Sequence, residues 1–75
     1  MYPNPCQGKF TVRYSELPDQ NSRVEVTDIS GRKIMTRIIT DTLEEFEMEN
    51  YTAGLYFVKS VIGSKEIVQK LIVNK

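Results

Sequence analysis

Histidine and tryptophan are absent from this chain, and cysteine occurs once. Without histidine the commonest general base and the commonest borderline-metal ligand are missing, and Ser-His-Asp or Cys-His catalysis is impossible. The lone Cys6 cannot close an intrachain disulfide. An unpaired thiol can pair only between chains, and beside Pro5 it is expected near a loop with no role. Neither sign of charge is in excess, with ten basic and ten acidic residues. There is then no basic footprint for phosphates, and no nucleic-acid partner is expected. No apolar run approaches the ~18 residues of a membrane-spanning helix, and the N-terminus has no signal-peptide pattern. Long runs of glycine are also missing. Gly31, Gly54 and Gly63 stand alone, so no phosphate-cradling loop can form.

The chain has 75 residues, enough for one domain. A chain this short buries only about 60% of the surface its unfolded form exposes. An interior pocket of roughly 300 Å³ would consume much of that core. No buried small-molecule site, cofactor or resident metal is expected, and no enzymatic activity.

What is present is a period of two. Lys9 to Tyr14 alternates, with Phe10, Val12 and Tyr14 on one face. Arg23 to Asp28 alternates with Val24 and Val26 inward and Glu25 outward. Lys33 to Thr40 carries Ile34, Met35, Ile38 and Ile39, which do not alternate cleanly and predict a bulge or a two-faced strand. Leu43 to Met48 is read as a strand, although its glutamates tolerate a helix. Leu55 to Ile62 and Lys65 to Asn74 flank Gly63-Ser64, a two-residue hairpin loop with glycine first.

Turn chemistry separates these segments. Tyr2-Pro3-Asn4-Pro5 is an extended lead-in, because each proline pushes its predecessor away from the helical region. A turn follows at Gln7-Gly8. Leu17 to Ser22 is rich in Pro, Asp, Asn and Ser. Asp28-Ile29-Ser30-Gly31-Arg32 reads as a hairpin connection in which aspartate accepts from backbone amides ahead of it and glycine supplies positive φ. Asn50 to Gly54 is a loop. The pattern predicts an all-β fold, a small antiparallel immunoglobulin-like β-sandwich of six to seven strands. Its buried set should be Phe10, Val12, Val24, Val26, Ile34, Ile38, Leu55, Phe57, Leu71 and Val73.

The charged groups mostly have structural readings. Glu44-Glu45-Phe46-Glu47-Met48-Glu49 alternates acid with apolar residue, as a solvated strand face does. The pairs Asp19 with Glu16 and Asp41 with Glu44 would need a cleft to do two-carboxylate chemistry. Calcium wants six to eight oxygens, which favours Asp28 as a turn-former. Three features remain that a partner could read: the terminal strand with Lys65, Lys70 and Lys75, the Gly31-Arg32 turn, and an exposed sheet edge.

Four motifs run in fixed order along the chain. They are Tyr2-Pro3-Asn4-Pro5 with Gly8, then Val26-Thr27-Asp28-Ile29-Ser30-Gly31-Arg32, then Ala53-Gly54-Leu55-Tyr56-Phe57-Val58, and last Lys70-Leu71-Ile72-Val73-Asn74-Lys75. In order and spacing they resemble the type A C-terminal sorting domain of the type IX (Por) secretion system. The resemblance spans residues 2 to 75, and Lys33-Ile34 extends the match after Gly31-Arg32.

The resemblance implies a non-catalytic secretion signal. Residues 1–75 would be a single C-terminal sorting domain excised from a larger secreted precursor, with residues 1–8 as its Pro-rich lead-in and Met1 as an expression start. Such a domain passes through the periplasm fused to an N-terminal cargo. It directs that cargo through the outer-membrane translocon to the cell surface or the medium, and a sortase-like peptidase removes it. Recognition by the translocon would fall to Arg32, Lys70, Leu71, Val73 and Lys75. A second class stays open: an adhesive or carbohydrate-binding β-sandwich appended to a secreted enzyme. Such modules usually expose an aromatic platform, and Tyr14, Tyr51 and Tyr56 read instead as packing residues.

Overall fold

The computed structural model describes residues 1–3, 6–14 and 22–74. Asn4, Pro5 and Lys75 lie outside the described residues, as does the turn expected at 17–22 except for Ser22. Six strands form: β1 (Lys9–Arg13), β2 (Arg23–Asp28), β3 (Lys33–Ile38), β4 (Leu43–Glu47), β5 (Gly54–Ile62) and β6 (Lys65–Val73). All pairings between them are antiparallel. The ambiguous acidic segment is strand β4, as its alternation of acid and apolar residue predicts.

The strands make two sheets. One has the order β1-β4, and the other β3-β2-β5-β6. Gly63, at φ +60°, closes the β5-β6 hairpin, which sets Ile62 opposite Lys65 and runs in register to Gly54 opposite Val73. The irregular pattern of β3 is a bulge, with the register against β2 shifting between Val26 and Thr27. The extra residue lets Ile34 and Met35 both pack against the core.

The inward faces interlock. Phe10 of β1 stacks on Phe46 of β4, ring centroids 4.9 Å apart and planes 13° from parallel. Beneath them lie Val24, Val26, Val58, Leu71 and Val73. Arg37 closes one side of the sandwich. Its guanidinium sits 3.9 Å over the Phe46 ring and donates to Glu45 O at 2.6 Å and Glu44 Oε1 at 3.1 Å. The lead-in also ties the sheets together. Tyr2 pairs with Thr11 of the small sheet, and Cys6 pairs in parallel with Val73 of the large one.

Several expectations shift. Ile38 is 57% exposed and Leu55 36%, so neither is in the core. On β5 the inward phase belongs to Tyr56, Val58 and Ser60, which turns Leu55 and half-buried Phe57 onto the outer face, where no second sheet among the described residues covers them. After the β3 bulge the inward position falls on Ile39, which is buried. Cys6 is a core residue rather than a loop-side one, with its backbone hydrogen-bonded to Ile72 and Asn74. Glu25 does face outward, yet it is buried under Arg23, Lys33 and Lys59, whose nitrogens lie 3.1, 3.1 and 3.7 Å from its carboxylate.

Candidate functional site: the Asp28–Arg32 turn and its groove

β2 must reverse into β3 within four residues, and Asp28 organises the reversal. Its Oδ1 accepts from Ser30 N at 3.0 Å, Ser30 Oγ at 2.6 Å and Arg32 N at 3.0 Å. Backbone bonds close the turn, from Asp28 N to Arg32 O and from Gly31 N to Asp28 O. Gly31 stands at φ +89°, with open space where a Cβ would lie. Glycine is needed there for conformation, not for room. Donation from the Ser30 hydroxyl, then from the Arg32 and Ser30 amides, holds the Asp28 carboxyl below the usual carboxylate range.

Arg32 grows out of this frame. Its Nε lies 3.4 Å from Asp28 Oδ2, while the side chain is 79% exposed. The ion pair fixes the stem of the guanidinium, and the two terminal amino groups have no partner among the described residues. An arginine presented this way offers a planar fork to a carboxylate or phosphate.

Facing the turn is the loop Asn50 to Ala53 and the start of β5. Two tyrosines rigidify that wall. Tyr56 donates to Thr52 O at 2.6 Å, and Tyr51 to Ile34 O at 3.3 Å. Turn and loop enclose an open groove of about 420 Å³, lined by Asp28, Ile29, Arg32, Ile34, Asn50, Tyr51, Leu55 and Tyr56 among others. It is a surface feature, in keeping with a core too small for an interior pocket.

The other sequence candidates separate by burial. Lys70 of β6 is exposed, whereas Leu71 and Val73 are buried in the core and cannot touch a partner while the domain is folded. Lys75, Asn4 and Pro5 lie outside the described residues. Of the motif residues, Tyr2 and Pro3 are exposed, Gly8 O accepts from Met48 N, and Gly54 opens β5. Glu44 is spent locally: its Oε2 accepts from the Thr40 and Asp41 amides, and Oε1 meets Arg37. Sequence reasoning missed the Asn50–Thr52 wall. Its only signal is a polar loop placed before a strand opened by glycine.

Two antiparallel sheets and a turn-borne arginine define a small all-β module. The sequence model of the secretion system C-terminal sorting domain matches residues 1–74. The chain belongs to that family. It is a C-terminal signal for type IX secretion, a sorting role that is not catalytic, and it implies export to the cell surface or the extracellular space. The family also implies dealings with the type IX machinery and with a cargo fused at the N-terminal side. No curated protein sequence matches the chain.

Proposed function

We propose that residues 1–75 act as one sorting domain that is read, folded, by the outer-membrane translocon after the precursor has crossed the periplasm. A sortase-like peptidase then cuts at the junction with the cargo. The surface that is read centres on Arg32 and Lys70, with Lys75 beyond the described strand. Leu71 and Val73 serve recognition indirectly, by anchoring the terminal strand in the core.

One observation carries this reading. Arg32 projects from a turn held by three hydrogen bonds to one Asp28 oxygen, within the family match, although an exposed ion pair such as Arg32–Asp28 adds only about 0–1 kcal/mol to stability. A rigid turn that presents a mostly solvated arginine suits contact better than folding. The test is a fusion of this chain to the C-terminus of a periplasmic reporter, expressed in a bacterium that has a type IX system. Reporter activity should appear outside the outer membrane. Retention of a folded reporter in the periplasm would contradict the proposal.

A further inference from the structure

The groove beside Arg32 has a chemical character of its own. Arg32 supplies its one positive charge, and the Asp28 carboxylate behind it is already spent on Ser30 and Arg32. Among the described residues no other aspartate, glutamate, lysine or arginine lines it. The floor is apolar, from Ile34 and Leu55, and the rim carries Ile29, which is 73% exposed. On the far wall, Asn50 and Ala53 are exposed.

These parts match one class of ligand. The guanidinium fork takes a carboxylate through two parallel N–H···O bonds. The exposed polar groups of Asn50 and Ala53 suit the amides of an extended backbone. The apolar floor and Ile29 suit aliphatic side chains on either side of the acid. A volume near 420 Å³ has room for two or three residues, at the lower end of the usual range for ligand sites. A free anion would use only Arg32, and a sugar would leave the guanidinium and the aliphatic surfaces unmatched.

We propose that the groove between the Asp28–Arg32 turn and the Asn50–Gly54 loop binds a short extended peptide segment in which an acidic residue is flanked by aliphatic ones, its carboxylate docking on Arg32. This deepens the reading of Arg32 as the contact residue, because it names the chemistry of the segment that the sorting machinery would offer. Ion pairing at a solvated site of this size gives weak binding, suited to a contact that must later release.

The test uses amide chemical shifts of the whole 75-residue chain, titrated with a blocked valine-glutamate-valine tripeptide, its valine-glutamine-valine counterpart, and sodium acetate. The acidic peptide should give saturable shifts at residues 28–34 and 50–56. The amide peptide and acetate should bind at least five-fold more weakly, and Arg32→Gln should remove the difference between acidic and amide peptides. Resonances of the Phe10–Phe46 region act as the folding control for the variant. Equal response to both peptides, a response to acetate as strong as to the acidic peptide, or shifts centred elsewhere would each overturn the proposal. Export bears on it separately. Export that depends on Arg32 without peptide binding would leave the sorting reading standing and remove this one. Peptide binding without Arg32-dependent export would do the reverse.

Discussion

Cys6 and Val73 lie side by side as a parallel pair, with Cys6 N donating to Ile72 O at 2.8 Å and Asn74 N donating to Cys6 O at 2.7 Å. The lead-in is thereby sewn to the terminal strand, and both side chains are buried. The thiol should therefore report on opening of this seam. Native protein should react slowly with a thiol reagent, and the rate should rise with denaturant before global unfolding. Rapid labelling of folded protein at a rate equal to a free thiol would contradict the pairing. Cys6→Ala should cost about 1 kcal/mol, for the loss of one methyl-sized group from the core.

The Phe10–Phe46 stack is the main contact within the small sheet, and Arg37 covers it. Phe46→Ala should cost about 3–5 kcal/mol, comparable to the whole stability of a domain this size. Loss of a cooperative transition in circular dichroism is the expected result. Arg37→Ala should be milder, by about 1–2 kcal/mol, from the cation–π contact and the partly exposed ion pair with Glu44.

Much of this arrangement was legible in the chain. All six strands follow the period-two segments within two residues at either end, because a half-buried strand must alternate. The Asp28–Arg32 turn and the Gly63 hairpin follow from local chemistry. Burial phase was harder. On β5, Leu55-Tyr56-Phe57-Val58 is apolar on both faces, so only the sheet on one side decides that Tyr56 and Val58 face inward. Ile38 and Ile39 compete in the same way after the β3 bulge. The Cys6 seam and the groove were not legible, since each joins segments more than 15 residues apart.

Acid should weaken the domain through Glu25 and Asp28. Hydrogen bonds from Lys33 and then Arg23 hold the Glu25 carboxyl below its ordinary value. A carboxyl depressed in the folded state contributes stability above its unfolded pKa, and that stability is lost as pH falls through the folded value. The melting temperature should hold steady down to about pH 5 and decline below about pH 4. Glu25→Gln should flatten that decline. A melting temperature that rises on acidification would contradict the network.

Tyr14 sets the alkaline limit. Burial, only partly offset by its hydroxyl bond to Ser60 at 3.2 Å, pushes its pKa upward. For an acid raised in the folded state, the stability is complete below the unfolded pKa and is lost as pH rises through the folded one. Unfolding should therefore set in above about pH 10. Tyr14→Phe should postpone it, as followed by tyrosinate absorbance together with circular dichroism.

The terminal strand separates fold from recognition. Leu71→Ala removes a fully buried side chain and should cost about 2–5 kcal/mol, so export and melting temperature should fall together. Lys70→Glu alters an exposed position and should change stability within about 0.5 kcal/mol. Export should fall for this variant while its melting temperature stays near the parent value. Normal export of Lys70→Glu would remove that lysine from the contact surface.

The central claim is that a folded domain is sorted through the guanidinium of Arg32, and the most direct test is export of an Arg32→Lys fusion measured beside its melting temperature. Lysine keeps the charge but not the planar fork. The account predicts that secreted reporter falls strongly for Arg32→Lys, as it does for Arg32→Ala, with melting unchanged within the few degrees that about 0.5 kcal/mol represents. Normal secretion of Arg32→Lys at an unchanged melting temperature would contradict it.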